Sequence, residues 1–131
     1  MNNAEIAGAA LMVVRSLGTS LAITLVVELA VVAAWFGMRA PRELAVLGLI
    51  NVATNPTVNL LLAAEMAASG SRSLADPVTA ATLAVLEVAV VLVEWQVLAR
   101  LLPEWRGSAL RMSVVMNVAS FGVGMLVVWL R

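Results

Sequence analysis

The chain has 131 residues, 63% of them hydrophobic and 12% charged, with a mean hydropathy of +1.02. So little polar surface cannot coat a soluble globule of this size, which excludes the water-soluble class and points to a lipid environment. Eight basic residues balance eight acidic ones, so no long-range attraction to nucleic acid or acidic substrates is expected. Cysteine and histidine are both absent, which excludes disulfides, thiolate chemistry, Cys- or His-based metal sites and imidazole proton relays; no cofactor is expected.

The N-terminal stretch has no basic region ahead of its apolar run and no small-residue cleavage pattern, so it reads as a retained anchor. Residues Ala4 to Val14 are apolar and form either an interfacial helix or an outward extension of the first span, with Arg15 snorkelling in both cases. Four apolar runs follow, at 18–38, 44–66, 78–101 and 108–130, each near the ~20 residues that a transmembrane helix requires. Their connections are as short as those between antiparallel neighbours in a bundle. The first run carries Glu28. Arg39, Pro41 and Arg42 close it and open the second.

On the second run Asn51, Asn55 and Asn59 recur every fourth residue, with Thr54 beside them, so they form one polar stripe. Pro56 lies within the stripe and withholds a backbone N–H from the Val52 carbonyl, a helix break that leaves an acceptor free. Ser69-Gly70-Ser71-Arg72-Ser73 is a loop, and Asp76-Pro77 reads as a helix cap followed by a first-turn proline. The third run carries Glu87 and Glu94, seven residues apart on one face. After Pro103, the fourth carries Asn117 and Ser120, then Gly122 and Gly124, small residues that permit close approach of another helix within the bundle or in a homodimer.

Trp35, Trp95, Trp105 and Trp129 fall near span ends and fit an interfacial belt, while Glu43 and Glu65 lie near helix ends and are expected to be solvated. Arginines concentrate in the first and third loops (Arg39, Arg42, Arg100, Arg106, Arg111) against Arg15, Arg72 and Arg131 elsewhere. That bias predicts a multi-pass protein of a bacterial inner membrane with both termini outside.

Aligning Glu28 with Glu87 and Asn51 with Asn117 brings Arg39 near Arg100, Pro41 near Pro103 and Thr54 onto Ser120, with a longer loop in the second half. The expectation is therefore an all-α, polytopic membrane protein. A single domain, 1–131, would form an antiparallel four-helix bundle from two parallel-repeat hairpins, 18–66 and 78–130. Counting from the loop arginines at 1.5 Å per residue puts Glu28 and Asn51 roughly 13–17 Å from one membrane face, with Glu87 at a similar level and Glu94 and Asn117 nearer the face.

An acidic residue at mid-bilayer costs about 2.5–3.5 kcal/mol even on lenient scales, so each must face the bundle interior, a wet cavity or a partner. Three carboxyls, amide oxygens and a freed carbonyl make an all-oxygen environment suited to a hard cation or to protons. The first expectation is a small transporter or channel element, not an enzyme, with Glu28, Glu87, Glu94, Asn51, Thr54, Asn55, Asn59 and Asn117 as its ion or proton site and no metal specified. A second is a non-catalytic subunit or scaffold, because Asn and Thr in membrane helices commonly join helices at ~0.6 kcal/mol per bond. Acid–base chemistry on a lipid by paired carboxyls ranks third. The expected partners are the bilayer, a small cation or proton and a second copy, without nucleic acid.

Through Thr54-Asn55-Pro56-Thr57-Val58-Asn59, the glutamates of the third span and Asn117-Val118-Ala119-Ser120-Phe121, the chain resembles small four-span bacterial membrane proteins with a T-N-P-x-x-N motif. The resemblance covers all four spans and implies no activity. The Asn55-Pro56 pair departs from the Asn-Pro-Ala loops of aquaporins: Thr57 follows the proline and the motif occurs once.

Overall fold

The computed structural model describes all residues except 1, 71, 72, 75 and 131, and leaves undescribed the side chains of 3, 4, 6, 9, 10, 128 and 129. Ser71, Arg72, Arg131 and the Trp129 side chain, which enter the loop, charge-bias and aromatic-belt readings, therefore lie outside the described residues. Everything regular among the described residues is helical: α1 (Asn3–Val31) continuing into a π turn (Val32–Phe36), α2 (Pro41–Ser69), α3 (Pro77–Leu101), a short 3₁₀ turn (Pro103–Trp105) and α4 (Ala109–Trp129). Each of the four contains a stretch long and apolar enough to cross a membrane: Leu11–Phe36, Pro41–Ser69, Pro77–Leu101 and Ala109–Val127.

Local chemistry fixes the ends. Asn2 and Glu5 exchange side chain and backbone bonds across the first turn of α1, so the Ala4 to Val14 stretch extends the first helix rather than forming a separate one. Gly37 takes a φ of 73° to end the π turn, and Gly70 a φ of 72° after α2, a left-handed geometry that a Cβ disfavours. Asp76 caps α3 by accepting from the N–H groups of Val78 and Thr79 at 3.0 and 3.2 Å, ahead of Pro77 at the first helical position. Pro56 does not break α2. Around it Thr54, Thr57 and Asn59 each bond the backbone carbonyl four residues back, at 3.0, 2.7 and 2.8 Å; these are the carbonyls of Ile50, Ala53 and Asn55, not the Val52 carbonyl that the proline deprives of an amide.

The helices touch in a closed cycle: α1 packs on α2 and α4, and α3 on the same two. Among the described residues, the buried apolar side chains all lie between the Glu28 level and the first and third loops: Val32, Met38, Leu47, Ile50, Leu98, Leu102, Ala109, Met112 and Met116. In lipid such a plug is held by close packing rather than by exclusion from water. Truncating its centre, Leu98→Ala, should lower stability by about 3 kcal/mol in a detergent or bicelle unfolding series, because Leu98 is wholly buried.

The loop end of the plug is tied by polar bonds. Trp105 Nε1 donates to Glu43 at 2.8 Å and Arg42 to the Leu101 carbonyl at 3.3 Å, while Arg111 lies 5.3 Å above the Phe36 ring. Glu43 is thus bonded rather than simply solvated. Trp35 is 74% exposed and Trp95 is half-buried. Both carboxylate oxygens of Glu65 are covered and without a hydrogen-bond partner among the described residues, contrary to the expected solvation. A Cβ at Gly122 or Gly124 would meet nothing within 4 Å, so these glycines serve no close approach inside this chain.

Candidate functional site

Four helices supply the polar layer that floors the plug. Glu28 on α1 is buried, and its Oε2 accepts from Asn51 Nδ2 on α2 at 2.6 Å and its Oε1 from Ser120 Oγ on α4 at 3.0 Å. Glu94 on α3, equally buried, accepts from Asn117 Nδ2 and Ser113 Oγ on α4 and from Thr54 Oγ1 on α2. The arrangement is reciprocal: each glutamate takes an amide from the next helix of its own hairpin and a hydroxyl from the other hairpin. The two Glu–Asn pairs are both 23 residues apart in sequence. Shifting Glu28, Asn51 and Thr54 by 66 positions lands on Glu94, Asn117 and Ser120.

The bonding makes Glu94, not Glu87, the counterpart of Glu28. It also moves Glu94 and Asn117 to the level of Glu28 and Asn51. Leu102 and Ala109, on either side of the third connection, are fully buried. Glu87 lies two turns, about 10 Å, up α3 from Glu94. It is half-buried and accepts no hydrogen bond from any described residue.

The amides have one allowed orientation. Asn51 Nδ2 also lies 3.3 Å from the Leu47 carbonyl and Asn117 Nδ2 2.9 Å from the Ser113 carbonyl, and a carbonyl oxygen only accepts. Both asparagines thus turn N–H groups toward the carboxyls. The hydroxyls, by contrast, have a choice. Thr54 Oγ1 is 3.0 Å from the Ile50 carbonyl and 3.3 Å from Glu94, Ser120 Oγ is 3.0 Å from Glu28 and 3.2 Å from the Asn117 carbonyl, and Ser113 Oγ is 2.9 Å from the Val91 carbonyl and 3.2 Å from Glu94. Each has a single proton for two acceptors. A charged carboxylate draws that proton; a protonated carboxyl donates its own to the hydroxyl oxygen, which then turns its hydrogen to the backbone carbonyl. Both protonation states fit the same heavy-atom positions.

Beyond this layer, away from the plug, a cavity of about 530 Å³ runs from Glu28, Asn51, Glu94 and Asn117 outward to Arg15 and Leu74. Asn55 and Asn59 line it and face α1, where Asn55 Nδ2 donates to Thr24 at 2.9 Å, and Ser20 stands 3.4 Å from both asparagines. Of the residues expected in the site, Glu28, Glu94, Asn51, Thr54 and Asn117 converge on the floor, Asn55 and Asn59 on the wall, and Glu87 higher up. Pro56 is outside the cavity lining.

Sequence reasoning missed Ser113, Ser20 and Thr24. A signal existed for each: Ser113 precedes Asn117 by one turn, and Ser20 and Thr24 precede Glu28 by two turns and one, the same spacing that marked the asparagine stripe. Among the described residues no group of three or more acidic, His or Cys side chains is placed to hold a metal. Comparison with protein-family models, curated proteins and solved structures returns no match to this chain.

Proposed function

We propose that this chain is a small membrane transporter whose Glu28–Glu94 layer takes up and releases protons at the floor of a cavity open toward one side. The carrying observation is the reciprocal Glu–Asn–hydroxyl network, whose hydroxyls serve a charged and a neutral carboxyl without moving any heavy atom. Protons are favoured over a hard cation because a cation site needs oxygens aimed at the ion, whereas Asn51 and Asn117 aim N–H groups at the carboxyls. Cavity on one side and packed plug on the other suit one state of an alternating cycle. The equal Glu–Asn spacing supports a duplicated hairpin with its copies parallel about an axis along the membrane normal. The arginine bias supports an inner membrane with both termini outside, and the exposed, unused Gly122 supports a homodimer.

The test is infrared difference spectroscopy of the protein in bilayers, between acidic and alkaline buffer. Two carboxyl bands should titrate, one removed by Glu28→Gln and one by Glu94→Gln. A spectrum in which neither substitution removes a titrating band overturns the proposal. A second reading has its own support: the same bonds cross-link all four helices, as in a scaffold whose polar layer only organises packing.

A further inference from the structure

Resting on that reading, we infer that the outer cavity is the binding site for a small amphipathic organic cation, an ammonium group on an apolar or aromatic body, anchored by Glu87.

The two halves of the chain agree at the floor and disagree above it. Under the 66-residue shift that superposes Glu28, Asn51 and Thr54 on Glu94, Asn117 and Ser120, Thr24 corresponds to Val90, Asn55 to Phe121 and Asn59 to Met125. All six line the cavity. Above the floor, the wall from α1 and α2 is thus rich in amides and hydroxyls, with Ile23, Val58 and Leu62 among them, while the wall from α3 and α4 is aliphatic and aromatic apart from Glu87. Proton handling needs the same groups from both halves, whereas a cavity with one polar and one apolar wall fits a ligand that is itself divided in this way. At about 530 Å³, it lies in the range that holds small organic molecules.

The charge of the ligand follows from what is left unsatisfied. The polar wall is occupied with itself: Asn55 donates to Thr24 and accepts from Asn59 and Ser20, and Asn59 also donates to the Asn55 carbonyl. Glu87 projects from the otherwise apolar wall, lines the cavity and accepts from no described residue. The basic side chain among the lining residues is Arg15, which is exposed. Since α1 and α3 run in the same direction with Glu28 and Glu94 level, Arg15 sits about six residues, roughly 9 Å, farther out than Glu87. A carboxylate at this depth is stabilised by a cation brought to it. Phe121, facing the same space, adds the attraction of a ring face for an ammonium group.

The experiment is calorimetric titration of the full chain in lipid nanodiscs, with empty discs as blank, using phenethylammonium, phenethyl alcohol and phenylpropionate. The ammonium should bind and the alcohol and the anion should not. Glu87→Gln should weaken ammonium binding about thirtyfold and Phe121→Ala about tenfold, each with the helicity and melting behaviour of the parent; Glu87→Asp, which keeps the charge, should retain measurable binding and guards against a merely misfolded Gln variant. Equal binding of the alcohol, or unchanged ammonium affinity in Glu87→Gln, overturns the assignment while leaving the infrared bands of Glu28 and Glu94 as they were. Ammonium binding without those bands would instead sink the proton reading and spare the cation site.

Discussion

Vesicles containing the parent chain are expected to exchange internal protons for external benzyltrimethylammonium, and Glu28→Gln or Glu94→Gln to reduce that exchange to the rate of protein-free vesicles. The probe is a permanent cation, so it neither carries a proton nor crosses lipid unaided. The loss should be near-complete for either variant alone, because the two glutamates share one layer through α2 and α4: Thr54 and Asn51 lie one turn apart and serve Glu94 and Glu28 respectively. Glutamine keeps the shape and removes the titrating proton. Luminal pH recorded with a trapped dye is the measurement. Parental rates in both variants would remove Glu28 and Glu94 from the mechanism.

The second large effect concerns stability. Asn117→Leu is expected to destabilise the protein by about 3 kcal/mol, since it withdraws one of three donors from a carboxyl that is 1% exposed, and a buried polar group left under-bonded costs more than the net worth of the bond itself. The double substitution Asn117→Leu with Glu94→Leu should recover most of that loss, because two apolar side chains leave no orphaned group. Unfolding measured for both single variants and the double closes the cycle. A loss near ~0.6 kcal/mol in Asn117→Leu would mean that the bond is ordinary interhelical glue.

How much of this was readable beforehand differs from residue to residue. Glu28, Asn51, Thr54 and Asn117 stood out because polar groups in apolar runs are costly, and that cost depends on neighbours along the chain alone. Glu94 stands out for the same reason, but its partners do not. The two candidates Glu87 and Glu94 share a face of α3, and choosing between them requires the register of α3 against its neighbours, which shows in the bonds of Glu94 to Thr54 and Asn117. Ser113 was overlooked because a lone serine in a span is cheap and common. Its role exists through its position, one turn before Asn117 and within 3.2 Å of Glu94.

Hydropathy and composition by themselves determined that the chain is helical, that it has four stretches able to cross a membrane, and which of its residues hydrocarbon would refuse. Those are sums over local sequence, and the transfer cost of a side chain does not need its tertiary partners to be known. Tertiary structure alone decided that Glu28 and Glu94 answer each other across the helices, that the buried apolar side chains of the described residues gather on one side of them, and that the cavity opens on the other. The reason is register: sliding one helix by a turn leaves its hydropathy unchanged but moves each side chain by about 5.4 Å, enough to exchange one hydrogen-bond partner for another.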